Sequence, residues 1–263
     1  MQFSLPSFGA RWRGIATFLA VALPSMDAAP LRLTGVVRDV KVQAGAVAAQ
    51  RARVNDVVPD GASVRTGADS RAELGFAGSP AIVRLAANTG ITTGIGGPAV
   101  QLVGGALLFH ANRGTRGPKI TTAGIHVAAG GSTGIIERNG AAYVKILVLE
   151  GTARVYLDRV GESVLVEAGQ LLITKPGTKV LPEAVHYDIG QLYKTSVFTT
   201  SGFPPLASAG AIERAIRKQK SDPDFTRTNL VIFGRGTLVN LLPPPPETAA
   251  TAGNEQNKPP PKP

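Results

Sequence analysis

Histidine and carboxylate side chains are the groups of this chain that could carry out chemistry, because the sequence contains no cysteine. The absence of cysteine excludes thiol nucleophiles, thiolate metal sites and redox motifs. The three histidines, His110, His126 and His186, are far apart, and none has a second histidine two or four residues away. The spacing that is typical of a zinc site is missing, and we predict no metal and no cofactor.

The carboxylates make an equally weak case for catalysis. The 18 acidic residues are spread thinly, and Glu137, Glu150 and Glu167 fall in predicted strands or turns. A glycosidase needs only two carboxylates about 5–9 Å apart, which a sequence alone does not exclude. No nucleophile elbow, phosphate-binding loop or H-E-x-x-H motif occurs. We predict that the chain is not an enzyme, with an enzyme that acts on polysaccharide as the least favoured alternative.

The elements that would position these residues are predicted to be β-strands. Runs rich in Val, Ile, Leu and Thr are separated by breaks that contain Gly, Asn, Asp or Pro, a pattern typical of all-β proteins. We predict a multi-stranded sandwich, a roll or a short β-solenoid, with one short amphipathic helix near the C-terminus. The predicted strand runs cover residues 35–44, 70–76, 81–88, 100–112, 119–130, 143–157 and 163–177.

One run shows the alternation of a half-buried strand. In "SRAELGF" (70–76), Ala72, Leu74 and Phe76 would face the core. Arg71 and Glu73 would lie on the opposite side of the strand. We expect that side to be solvated. Opposite charges there would also help neighbouring strands to pair.

Glycines begin several of the predicted strands. Gly105, Gly151 and Gly169 open the segments "GALLF", "GTARV" and "GQLLI". The spacing between them is irregular, whereas a regular solenoid would show one fixed period. We therefore predict that these glycines mark corners between strands.

The N-terminus predicts a signal peptide. Arg11 and Arg13 precede an apolar run from Ile15 to Leu23, and Pro24 and small residues follow. The run is about half of the roughly 20 residues that a helix needs to span a bilayer, and no later apolar stretch comes closer. We expect an exported protein, periplasmic or extracellular, without a membrane span. A short buried N-terminal helix is the alternative.

A short helix is predicted after the β region. Ser208 is the candidate N-cap, and Ile212 and Ile216 form an apolar stripe. Basic residues collect at the C-terminal end of the helix, where they complement its dipole. The helix either docks on the β domain or presents a positive stripe to a partner. A final strand is predicted over 228–242, followed by a disordered proline-rich tail.

The net charge of +10 at pH 7 is high for a chain of 263 residues. Colloidal solubility accounts for such a charge, and polyanions of the cell envelope are the contact that it would favour in an exported protein. We predict no nucleic-acid partner, because the arginines are scattered and only 5% of the residues are aromatic.

A succession of motifs runs from about Gly35 to about Pro182, and together they resemble the FecR-type domain, named after the regulator of ferric citrate transport. The motifs are "VRTGADSRAELGF", "IVRLAANTGI", "LVGGALLFHAN", "KITTAGIHVAAGGSTGIIE", "YVKILVLEGTARV" and "VLVEAGQLLI". The resemblance implies an extracytoplasmic all-β interaction domain. In the founding regulators this domain relays a receptor signal to a cytoplasmic sigma factor. That role is not carried over, since the only tryptophan, Trp12, lies in the predicted leader and not in an anti-sigma motif.

The sequence thus predicts a non-catalytic interaction module that binds a protein or an envelope polysaccharide. The alternative is a structural component of a cell-envelope or secreted assembly. Candidate partner contacts are Arg71 and Arg84, at expected exposed strand positions, and Arg214, Arg217 and Lys218 on the helix. The predicted regions are a signal peptide, a FecR-like β domain, a C-terminal extension and a proline-rich tail, over residues 1–29, 30–182, 183–242 and 243–263.

Overall fold

The computed structural model describes residues 31–95, 98–115, 117–158, 161–200, 202–222, 230–233 and 238–241. The predicted signal peptide and proline-rich tail lie outside the described residues. Hydrogen bonds link 17 strands into one mixed sheet. The strands are β1 (Leu31–Val37), β2 (Val40–Gln43), β3 (Gln50–Arg51), β4 (Val57–Val58), β5 (Ser63–Thr66), β6 (Arg71–Phe76), β7 (Ile82–Leu85), β8 (Gly90–Thr93), β9 (Ala99–His110), β10 (Lys119–Thr122), β11 (Ile125–Ala129), β12 (Thr133–Asn139), β13 (Tyr143–Glu150), β14 (Thr152–Leu157), β15 (Ser163–Glu167), β16 (Gln170–Thr174) and β17 (Val185–His186).

The sheet is folded into two layers that share strand β9. In layer 1 the strand order is β4-β1-β6-β7-β9-β12-β13-β16-β17. In layer 2 the order is β3-β2-β5-β8-β9-β10-β11-β14-β15. Strands β9 and β10 are parallel. The predicted all-β class is confirmed, and the arrangement is the two-layer form of that prediction.

Strand β9 belongs to both layers because it bends at Gly105. Its first half pairs with β8 as far as Gly104, and its second half pairs with β12 from Gly105 onward. The predicted glycine corners are confirmed: Gly105, Gly151 and Gly169 have φ angles of 89°, 74° and 83°, and each lies where the chain passes between the layers. At Gly105 a side chain would also collide with Thr89, since an added Cβ would lie 2.5 Å from Thr89 Oγ1.

The space between the layers holds the main hydrophobic core. On the layer 1 side, Ala72, Leu74 and Phe76 are buried, which confirms the alternation predicted for β6. Layer 2 contributes residues such as Ile91 and Leu102 to the same cluster. Burial of these apolar side chains between the layers is the main term that stabilises the fold.

A second core covers the outer face of layer 1. Three helices follow the sheet, α1 (Ile189–Thr195), α2 (Val197–Thr200) and α3 (Ala209–Lys220), where the sequence predicts only α3. Leu192, Phe198 and Ile212 from the helices pack against Leu108 and Leu147 of the sheet. The outer face of layer 1 is therefore a buried interface.

The final strand predicted over 228–242 is two strands, β18 (Leu230–Phe233) and β19 (Leu238–Leu241). They pair antiparallel with each other and form a sheet separate from the layers. The sequence Gly-Arg-Gly-Thr at 234–237 separates them. The prediction of one continuous strand is therefore wrong, because Leu230–Phe233 pairs with Leu238–Leu241 within the same segment.

Candidate binding surface

Arg84, one of the predicted partner contacts, is buried and not exposed. Its relative exposure is 2%, and that of Glu73 on the neighbouring strand is 8%. Both side chains point to the outer face of layer 1, as strand alternation requires. That face is covered by the part of the chain that contains α1, α2 and α3, which we call the C-terminal segment. The expectation that Glu73 and Arg84 are solvated is therefore wrong, because a segment distant in sequence encloses them.

Arg84 holds the C-terminal segment on layer 1. Its Nε donates to Glu73 Oε2 at 2.7 Å, and its two terminal nitrogens donate to the carbonyl oxygens of Phe198 at 2.8 Å and Pro204 at 2.6 Å. The Thr34 hydroxyl donates to Glu73 Oε1 at 2.7 Å. We call this set of contacts the arginine latch.

A second polar cluster fastens the start of α3 to the same face. Thr133 Oγ1 donates to Glu150 Oε1 at 2.8 Å and lies 2.8 Å from both His110 Nδ1 and Ser208 Oγ. His110 Nε2 lies 2.8 Å from Asn112 Oδ1. Ser208 occupies the predicted N-cap position, but its side chain makes no capping hydrogen bond. His110, Glu150 and Ser208 therefore have structural partners in this buried cluster.

The other predicted contacts lie in two separate places. Arg71 is half-buried in the outer face of layer 1 and lines a cavity of about 370 Å³ beside α2. Arg214, Arg217 and Lys218 are exposed on α3 and do not line that cavity. Their role in partner binding stays a prediction.

The outer side of layer 2, which we call the open face, has no such cover. A continuous row of polar residues crosses it, each residue paired in register with the next on the neighbouring strand, and none of them is buried. The row runs through Gln43, Ser63, Thr92, Gln101, Thr121, His126, Tyr156 and Ser163. Hydroxyl, amide and imidazole groups, which can hydrogen-bond to a ligand, thus follow one another across the layer without a gap.

Basic residues flank this polar row on both sides. Arg51, Lys41 and Arg65 stand directly opposite one another on β3, β2 and β5, and all are exposed. On the other side of the row, Lys119 and Arg154 are exposed on β10 and β14. Both pair with the same residue of β11, the strand between them. Asp39 lies 3.7 Å from Lys41, and Asp158 lies 2.8 Å from His126. Among the described residues, the unpaired positive charge beside the polar row is therefore that of Arg51, Arg65, Lys119 and Arg154.

A groove with a volume of about 640 Å³ lies where β9 bends away from the open face. One wall comes from β5, β8 and the bend, and the other comes from the end of β12 and Gly140. Its polar lining includes Arg65, Asn88, Arg138 and Asn139, and no aromatic residue lines it. Ser63 and Thr92 belong both to the groove and to the polar row, so that the two features are continuous.

Glu137 also lines the groove, but its charge is balanced from behind. Lys145 Nζ lies 2.6 Å from Glu137 Oε2, and the Tyr143 hydroxyl donates to Glu137 Oε1 at 2.9 Å. Burial lowers the pKa of Lys145 despite the attraction of Glu137. Burial, and secondarily the bond to Glu137, raises the pKa of Tyr143. With Glu137 paired to Lys145, the free charge of the groove is that of its arginines.

The described residues contain no group of three or more histidine or acidic side chains that could hold a metal ion. In the same part of the chain, no helix has the length and apolar character to cross a membrane.

Sequence reasoning alone missed the open face and the groove. Arg51, Arg65 and Lys41 look scattered in the sequence, and only the strand register aligns them. Alternation gave one usable signal, since Lys41 lies between the inward-facing Val40 and Val42. No comparable signal brings Arg138, on the far hairpin, to the side of Arg65.

The chain matches no protein-family model and no curated protein. Among solved structures it is similar to two crystal structures, at 2.50 and 1.65 Å resolution, of a candidate anti-sigma factor from Parabacteroides distasonis. The identities are 13% and 12%, and both TM-scores are 0.41. Each match covers 49% of this chain and 62% of the other, so that the chain spans less than two thirds of the length of that protein.

Proposed function

We propose that this chain is a non-catalytic binding module of FecR type that acts outside the cytoplasm and holds an anionic envelope polysaccharide on its open face. The FecR assignment is supported by the succession of motifs between Gly35 and Pro182. The observation that carries the proposal is the difference between the two outer faces. One is sealed by the C-terminal helices, and the other presents a polar row flanked by basic side chains.

The chemistry of the open face favours a polysaccharide over a protein partner. Protein interfaces are built around a core of aromatic and apolar side chains. On the open face the large apolar side chains that are exposed, Val103 and Leu165, are isolated from each other on β9 and β15. A row of hydroxyl and amide groups instead suits a ligand rich in hydroxyl groups, and the flanking cations suit one that carries negative charge.

The non-catalytic part of the proposal is supported by the partners of the acidic residues. Glu137 is paired with Lys145, and Glu150 accepts the Thr133 hydroxyl inside a buried cluster. Glu167 is exposed on β15. A glycosidase would need two of its carboxylates poised on either side of one sugar bond. Glu137, Glu150 and Glu167 instead lie in three different surroundings: an ion pair, a buried cluster and an exposed strand.

The test measures binding of the full chain to polygalacturonate, with dextran as the neutral polymer, at about 50 mM and about 500 mM salt. Screening shortens electrostatic reach from more than 10 Å to a few ångströms between these salts. We expect polygalacturonate binding that weakens at high salt and no binding to dextran. Binding that is equal for the two polymers would contradict the role given to charge.

Two variants with equal changes in charge locate the surface. The first replaces basic residues of the open face outside the groove: K41Q, R51Q, K119Q and R154Q. The second replaces basic residues of α3: R214Q, R217Q, K218Q and K220Q. We expect the first to weaken binding about 10-fold or more, since exposed ion pairs contribute up to about 1 kcal/mol each. We expect the second to leave binding nearly unchanged. The reverse result would assign binding to the helix.

A further inference from the structure

We infer that the groove is a subsite for a hexuronate, in which Arg65 and Arg138 bind the sugar carboxylate. This inference rests on the proposed function, because it places one acidic sugar of the bound polymer at one end of the open face. It adds a chemical specificity that a general attraction between charges would not have.

The first observation is an excess of guanidinium groups in the groove. Within the described part of the chain, neither Arg65 nor Arg138 takes part in an ion pair. The acid on the groove wall, Glu137, is already matched by Lys145 at 2.6 Å. A guanidinium presents paired N–H donors in the geometry that a carboxylate accepts. The groove therefore carries two cationic donors, and its own anion, Glu137, is already paired with Lys145.

The second observation is the rest of the lining. Asn88 and Asn139 supply amide groups, and Ser63 and Thr92 supply hydroxyl groups. The volume of about 640 Å³ lies within the range of sites that enclose small ligands or polymer units. Without an aromatic side chain the groove has no platform for a nucleobase. A charged sugar with several hydroxyl groups fits this set of donors and acceptors.

The third observation is that the groove is rigid on the side of the bend. The Thr89 hydroxyl donates to the Ala106 carbonyl at 3.0 Å, and the Thr89 backbone N–H donates to Thr66 Oγ1 at 2.9 Å. Asn88 has a φ of 53°, which places this corner in the left-handed region. A corner that is fixed before binding reduces the entropy lost when a ligand is held.

The fourth observation is the continuity of charge from the groove to the open face. Arg65 stands opposite Lys41, which stands opposite Arg51. Neighbouring strands are about 4.8 Å apart, so that successive cations follow one another at about that interval. A polymer with one carboxylate per sugar could place its next acidic groups along this line.

The experiment uses calorimetry with the full chain and trigalacturonate, which is short enough to report on the groove. The methyl-esterified trimer is the neutral counterpart, because esterification removes the charge and keeps the sugar. We expect the acid to bind at least 10-fold more tightly than the ester. We expect R65Q and R138Q each to weaken binding of the acid about 10-fold, since hydrogen bonds to charged groups are the strongest in such sites. K220Q, on α3 and away from the open face, should change affinity less than twofold.

The outcomes separate this inference from the proposed function. If polygalacturonate binds but the trimer does not, or if R65Q leaves trimer binding intact, the subsite is refuted and the open face remains a binding surface. If neither polymer nor trimer binds, both proposals fail. Arg65 is exposed, so that R65Q tests the groove without disturbing the core. R138K, which keeps the charge but loses the paired donors, should bind the trimer more weakly than the unaltered chain.

Discussion

Replacing Arg84 with methionine should detach the C-terminal segment from layer 1. The substitution keeps an apolar stem of similar length and removes the guanidinium donors of the arginine latch. Among the described residues, Glu73 then keeps one side-chain donor, the Thr34 hydroxyl at 2.7 Å, and stays buried. The carbonyl groups of Phe198 and Pro204 lose their donors at the same time.

The expected cost is about 3–5 kcal/mol of unfolding free energy, the range found when one partner of a buried ion pair is removed. The double variant E73L/R84M removes the stranded carboxylate as well. It should be more stable than R84M by at least about 1 kcal/mol, because an unpaired buried charge is the larger part of that cost. The stability that the double variant still lacks, compared with the unaltered chain, comes from the lost donors to the Phe198 and Pro204 carbonyls.

Urea unfolding followed by circular dichroism measures both free energies. Hydrogen exchange of α1–α3 provides a local readout, since the amides of a detached helix exchange faster than those of the sheet. We expect R84M to accelerate exchange in the helices more than in layer 2. A cost below about 1 kcal/mol, or a double variant as unstable as the single one, would refute the reasoning.

Two further predictions concern the corners and the alkaline limit of stability. G151A should lower the unfolding free energy by more than about 2 kcal/mol, because it combines a left-handed φ of 74° with a collision between the added Cβ and the Gly131 carbonyl oxygen. At Gly61 the φ is similar, 73°, but an added Cβ would meet no other atom, so G61A should lower the unfolding free energy by only about 1 kcal/mol. Urea unfolding measures both variants, and equal losses of stability in G151A and G61A would contradict the role given to the collision. Burial raises the pKa of Tyr187 well above its ordinary value, so that the unfolded chain loses this proton first and stability should fall as pH rises above about 10. In Y187F the slope of stability against pH, from urea unfolding between pH 9 and pH 11, should be smaller by up to about 1.4 kcal/mol per pH unit, and an unchanged slope would contradict the assignment.

Features that depend on local pattern could be predicted from the sequence. The period-two alternation of β6 identified Ala72, Leu74 and Phe76 as core residues. Glycine at Gly105 and Gly151 identified corners, because only glycine adopts the required φ without strain. The helix α3 was predicted from its apolar stripe and its basic C-terminal end, both of which lie within a few residues of each other.

Features that depend on distant segments could not be predicted. Glu73 and Arg84 are charged residues of the kind that a solvated strand face carries, and the C-terminal segment that supplies the carbonyls of Phe198 and Pro204 buries them. The alignment of Arg51, Lys41 and Arg65 depends on strand register, which the spacing of charges in a sequence does not reveal. The helices α1 and α2 were missed because they have 7 and 4 residues, too few to establish a clear helical period.

The sharing of β9 between the layers also has a consequence for folding. A strand that contributes hydrogen bonds to both layers cannot leave one of them without loosening the other, so neither layer has a complete set of pairings on its own. Loss of the first half of β9 would take away the neighbour of β8 and β10, and loss of the second half would take away that of β7 and β12. The two layers should therefore unfold together in one cooperative transition, and fragments divided within β9 should not fold separately.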